Sequence, residues 1–146
     1  MKRTFINLAK EKSRGITALQ GTNVPAVFCD AVRIDLAECA MIYISGKIGV
    51  DESGKVPRTM AEQTRQILES IKAVLTREGG TMDDIVRVRV YATQVDSLSL
   101  RDIHSVRSEY WTEGKYPAST LVRVSQLIRD GALIEIDADA VIATRS

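Results

Sequence analysis

The chain has 146 residues, room for one domain with a proper core and too few for two. Apolar residues make up 45% and charged residues 27%, an ordinary globular composition without the signature of disorder. Twenty basic and 19 acidic side chains leave a formal charge of +1, which excludes a global field that would draw in nucleic acid or acidic lipid.

The first stretch, MKRTFINLAKEKSRG, starts basic but lacks the unbroken apolar core of an export signal. Residues 1–24 read as a short strand, Thr4–Leu8, followed by an irregular arm, within a single domain covering 1–146. Val27–Ile34 and Ala40–Ser45 are strand candidates joined by a polar turn at Asp35–Glu38. GKIGVDESGKVP, from Gly46 to Pro57, reads as a loop that turns at Asp51-Glu52-Ser53-Gly54.

MAEQTRQILESIKAVLTREGG carries the strongest periodic signal. Met60, Thr64, Ile67, Leu68, Ile71, Val74 and Leu75 share one helical face with charges opposite, and Gly79-Gly80 permits a left-handed cap. Ile85–Thr93 alternates apolar residues with arginines and reads as a strand with one wet side. VDSLSLRDIHSVRSEYW follows as a shorter helix capped near Asp96 or Ser97, with Ile103, Tyr110 and Trp111 turned inward. Thr120–Leu127 and Leu133–Ala143 complete the strands. The last has Ile134, Ile136, Ala138 and Ala140 on one face.

This order implies an α+β layer fold, a mixed sheet with two helices on one face. The last strand reads as apolar on both sides, so the open face calls for a cover, and oligomerisation would supply it. No run approaches the roughly 20 apolar residues that span a bilayer, so no membrane partner is expected. Two cysteines, Cys29 and Cys39, read as reduced and half-buried, with a cytoplasmic location expected. One histidine, His104, leaves too few ligands for a zinc site, so no metal is expected.

Taken together, YISGKIGVDESGKV, EQTRQILESIKAVLTREGGTMDDIVRVRVYAT, YPASTLVRVSQL and LIEIDADAVI resemble the Rid family, the RidA/YjgF-type reactive-intermediate deaminases, in order and near spacing. The resemblance spans about residues 27–143. It implies a chorismate-mutase-like fold, a homotrimer whose sheets form a central β-barrel, and clefts between subunits that bind small molecules. It also implies hydrolysis of imines or enamines, such as 2-aminoacrylate, to 2-keto acids and ammonia, with water as nucleophile and no cofactor.

The family motif beside the cleft reads Pro-Ala-Arg-Ser/Thr, and its arginine clamps a substrate carboxylate. Here the tetrad is Pro117-Ala118-Ser119-Thr120. A serine hydroxyl is neutral, whereas guanidinium makes paired, charge-assisted bonds. The exchange costs roughly 2–5 kcal/mol where the pair is desolvated, so a 2-imino acid binds poorly unless another cation reaches in. An atypical imine or enamine is therefore the expected substrate.

Glu135 matches the family glutamate thought to position or activate water. On residues alone it is a mid-strand carboxylate facing away from Ile134 and Ile136, either a general acid or base or half of an interfacial ion pair, for instance with Arg123 or Arg129. Ser45 and Gly46 match a ligand-contacting Ser-Gly, though such a pair is more often a turn. Lys47 is weighed as a second cation near the cleft against an exposed loop lysine. Phe28 aligns with a cleft-mouth tyrosine and keeps only its apolar wall. His104, or Asp102 by a different count, falls near a family asparagine, and packing or surface is the favoured reading for it. Ser119 and Thr120 would hydrogen-bond the ligand.

Three functions compete: a deaminase of this type, a trimer that binds a small metabolite without turnover, and, ranked last, an RNA-cleaving or translation-inhibiting protein. Aromatic residues amount to 5%, offering little for base stacking.

Overall fold

The computed structural model describes residues 1–8, 24 and 26–144. Six strands form one sheet: β1 (Lys2–Ile6), β2 (Ala31–Asp35), β3 (Cys39–Ile48), β4 (Ile85–Ala92), β5 (Ala118–Arg123) and β6 (Ile134–Ala143). Among the described residues two helices, α1 (Met60–Arg77) and α2 (Ser97–Arg107), and a 3-10 turn at Met82–Asp84 connect them. The order across the sheet is β1-β2-β3-β6-β4-β5. Only β4 and β5 run parallel, joined through α2, and every other pairing is antiparallel. The expected mixed α+β sheet is present.

One face of the sheet meets the helices. Ile42 and Ile44 of β3, Val88 and Val90 of β4, and Ile134, Ile136, Ala138 and Ala140 of β6 are all buried there. The α1 stripe that meets them is the one the periodicity picks out, from Met60 to Leu75. Burying each large aliphatic side chain stabilises by about 1.5–3 kcal/mol, so this layer dominates the stability. Thr59 caps α1 by accepting from the Glu62 N–H at 3.2 Å, and Gly79 ends it at φ +84. Asp96 caps α2 through the Ser99 N–H at 3.0 Å. Trp111 lies just past α2, buried, its Nε1–H on the Met82 carbonyl at 2.8 Å, while Tyr110 is only half-buried against the core.

Several boundaries differ from the sequence expectation. The first strand occupies Lys2–Ile6 rather than Thr4–Leu8, and most of the irregular arm lies outside the described residues. The next begins at Ala31, not Val27, because pairing with β1 and β3 starts only there. β3 runs on through Ile48 into the stretch read as loop. β5 covers Ala118–Arg123 rather than Thr120–Leu127, held by parallel pairing along the edge of β4.

The open face also departs from expectation. On β6 it carries Glu135, Asp137, Asp139 and Val141, so that strand is acidic rather than apolar on its outer side. Arg89 spans two of these acids, with Asp137 at 2.7 Å and Asp139 at 3.1 Å. The exposed apolar groups come instead from flanking strands, namely Phe5, Tyr43 and Val122.

Candidate functional site

Two half-sites result from this register. The first forms where β3 and β6 lose step. Ile44 pairs with Ala138 and Lys47 with Ile136, so three residues on β3 face two on β6. The extra residue is a β-bulge at Ser45-Gly46, a device that re-aims side chains. Glu135 lies against it. A Cβ on Gly46 would fall 2.9 Å from Glu135 Cδ and 3.0 Å from Oε2, so only glycine leaves room for the carboxyl group.

Glu135 is half-buried and makes no hydrogen bond or ion pair with any described residue. Within the chain Arg123 donates to the Thr93 carbonyl at 3.3 Å and Arg129 to the Gly54 carbonyl at 2.7 Å; the ion pair weighed for them with Glu135 is one between subunits, which a single chain does not contain. Burial raises its pKa, and the neighbouring Asp137 charge adds to the rise. A carboxyl held above the usual range without a fixed partner can both take and give a proton.

Ser45 and Lys47 flank Gly46 in the chain but are committed within it. Ser45 donates its N–H to the Asp30 carbonyl at 2.9 Å and its hydroxyl to the Cys29 carbonyl at 2.7 Å. Its oxygen is left as an acceptor. Lys47 Nζ pairs with Asp30 Oδ1, and the lysine side chain is only 15% exposed. By register Lys47 shares the helix side with Ile136, away from Glu135. Phe28, 60% exposed, precedes β2 next to Cys29, and its ring is free on the surface of this half-site.

The second half-site is the outer edge of β5. Parallel register puts Ser119 beside Val88 on the helix side and Thr120 beside Arg89 on the open side. Both are exposed. Ser119 Oγ accepts a hydrogen bond at 3.1 Å from Nη1 of Arg107, at the last turn of α2. His104 lies exposed one turn earlier on the same helix, whereas Asp102 is half-buried. Desolvation and the Arg107 charge hold the His104 imidazole below the ordinary histidine value, so it is neutral at pH 7. Nothing in the sequence sets Arg107 apart from the other basic residues of the chain, yet it is 7% exposed.

Within one chain the halves do not meet. Glu135 and the bulge lie on β3 and β6 at the open face, while Ser119, His104 and Arg107 lie at the β5 edge on the helix side, with β4 between them. Two surface grooves, one beside Arg65 and Tyr110 and one beside Val56 and Arg129, contain none of the candidate residues. Among the described residues no cluster of three or more His, Cys, Asp or Glu could hold a metal, and no helix is long and apolar enough to cross a membrane.

The sheet, the bulge and the two helices define a chain of the Rid type, and comparison with known proteins supports that class. The family model described as endoribonuclease L-PSP matches residues 25–142. The 2-iminobutanoate/2-iminopropanoate deaminase of Escherichia coli is 33% identical over 123 residues, 82% of this chain and 92% of that protein. A RutC family protein of Pyrococcus abyssi is 38% identical over 101 residues, 68% of this chain and 76% of that one. A crystal structure of a YjgF/YER057c/UK114 family member from Mycobacterium tuberculosis superposes with a TM-score of 0.71 at 27% identity, covering 97% and 100% of the two chains. RidA from an Antarctic Psychrobacter gives 0.69 at 26% identity, covering 88% and 96%. The chain belongs to the Rid (YjgF/RidA) family.

Proposed function

We propose that this protein is a hydrolase that adds water to the C=N bond of a small imine, or of the enamine in equilibrium with it, in a cleft between subunits of a homotrimer. The observation that carries this reading is Glu135, a half-buried carboxyl with a raised pKa and no partner, seated on a glycine bulge. The similarity to a protein named as an imine deaminase, at 33% identity, supports it.

The imine carbon is electrophilic, so water is a sufficient nucleophile. Glu135 as carboxylate takes a proton while the water oxygen bonds to carbon, and the C=N π pair becomes the nitrogen lone pair. The protonated carboxyl returns that proton to nitrogen, leaving a carbinolamine. Glu135 then takes the hydroxyl proton and passes it to nitrogen as the C=O bond forms and the C–N bond breaks, giving a carbonyl compound and ammonia. General acid–base assistance of this kind is worth about 10²–10⁴ in rate. Ser119 and Thr120 supply neutral hydrogen bonds from the neighbouring chain, Phe28 an apolar wall, and the Ser45-Gly46 bulge the floor under the carboxyl group. Because residue 119 is neutral, recognition at β5 differs from that of relatives with a charged residue in the tetrad.

The test generates imines in situ from a panel of amino acids, with and without a carboxylate, and follows carbonyl appearance. Acceleration over the spontaneous rate that disappears in Glu135→Gln supports the reading. An unchanged rate in that variant removes the mechanism. A saturable thermal shift with small ligands and no product would establish a binding module in its place.

A further inference from the structure

The geometry points to Arg107 as the carboxylate-binding residue of the cleft, a guanidinium carried by α2 and presented through Ser119 to the carboxylate of a small 2-imino or 2-oxo acid. This rests on the cleft reading above and names the substrate class for the same site.

Charge balance motivates it. Arg107 is 7% exposed, yet its polar contacts among the described residues are a single bond to Ser119 Oγ at 3.1 Å and the Trp111 ring at 5.7 Å. Among the described residues no carboxylate pairs with it. Other arginines of the fold are treated differently: Arg33 pairs with Asp35 and Glu78, Arg65 with Glu109, and Arg89 with Asp137 and Asp139. Holding a guanidinium away from water without a counter-ion is unfavourable, and an incoming anion relieves it.

Access and shape select the anion. No fully buried polar side-chain atom lacks a partner, so the nitrogens of Arg107 that make no bond retain contact with the surface. The one bond it does make ends on Ser119, an exposed residue of the edge strand. The Trp111 ring, itself fixed by its bond to Met82, backs the guanidinium and fixes the direction in which it presents its remaining donors. A planar carboxylate matches that fork with two parallel bonds. Neutral His104 lies one turn away and adds a donor without adding charge. A serine at 119 then has a role a larger residue could not fill, because it leaves open the space through which Arg107 reaches the ligand.

The experiment compares binding of 2-oxobutanoate, propanoate and propanamide to the wild type, Arg107→Gln and the double variant Arg107→Gln/Ser119→Arg, by NMR titration. Wild type should bind both carboxylates and prefer propanoate to its amide. Arg107→Gln should weaken the carboxylates by about 30-fold or more and leave the amide unchanged. The double variant restores a guanidinium from β5 and should recover carboxylate binding, which a merely structural role for Arg107 would not produce. Arg107→Lys, which keeps the charge, serves if the glutamine variant does not fold, and should weaken the carboxylates while sparing the amide. Equal binding of propanoate and propanamide by the wild type, or carboxylate affinity untouched in either single variant, overturns the assignment. Carboxylate binding through Arg107 without imine turnover would remove the deaminase reading and leave this one standing. Turnover of 2-imino acids with an unchanged KM in Arg107→Gln would do the reverse.

Discussion

At the scale of single residues, the chemistry depends on the fit of Glu135 to Gly46. Adding one methyl at Gly46 puts carbon 2.9 Å from the carboxyl carbon, so Gly46→Ala must displace the group. The φ of Gly46 lies outside the left-handed region, so alanine strains no backbone there and the fold should persist. Hydrolysis should fall by about 100-fold, the usual consequence of misplacing a catalytic group by about 1 Å, with circular dichroism unchanged. The pH profile offers a second test. Burial and Asp137 raise the Glu135 pKa, and in the proposed mechanism the carboxylate form is the one that activates water. Activity should therefore fall as pH drops through that raised value, and the acid limb of kcat/KM locates it. Asp137→Asn removes a nearby negative charge and leaves Arg89 one acid fewer, so the limb should move to lower pH. Glu135 was legible in the sequence because alternation alone turns it away from Ile134 and Ile136. Its contact with Gly46 was not, since that depends on a one-residue slip between strands whose contacting residues lie 89 positions apart in the chain.

At the scale of elements, the helices were readable and the strand ends were not. The α1 face is fixed by spacing, whereas the limits of β2 and β5 are set by where a neighbour offers hydrogen bonds. Gln63 shows the same division. It lies on α1 as one polar residue among many, yet it is fully buried and ties three segments together. Its Nε2 donates to the Pro57 carbonyl at 2.7 Å and the Gly131 carbonyl at 2.8 Å, and its Oε1 accepts from the Leu133 N–H at 2.8 Å. Gln63→Leu leaves these backbone groups unsatisfied and should destabilise by about 2–4 kcal/mol, read from the shift in a urea melt. Thr59→Ala, which removes only the α1 cap, should cost about 1 kcal/mol. The larger effect of Gln63 follows from its place at the joint where β6 begins, one strand residue before Glu135.

At the scale of the whole molecule, the candidate residues of a single chain fall into two separate groups. Ser119, Thr120, His104 and Arg107 sit at the β5 edge, and Glu135 with its bulge sits at the open face across β4. Phe5, Tyr43 and Val122 leave apolar surface on that open face, which a second copy would cover. The Arg107–Ser119 contact could not be read from sequence, because it exists only once the parallel crossover folds α2 back along the edge strand. In sedimentation equilibrium the protein should have about three times the mass of the chain, and Val122→Glu should lower it.

The most direct test mixes two inactive chains. Glu135→Gln removes the acid–base group, and Ser119→Phe blocks the β5 edge. Unfolded together and refolded at equal amounts, they should regain about one quarter of wild-type sites, since random assembly pairs the intact halves of different chains that often. A mixture no more active than its two parents would mean that Glu135 and the β5 edge do not share a cleft between neighbouring subunits.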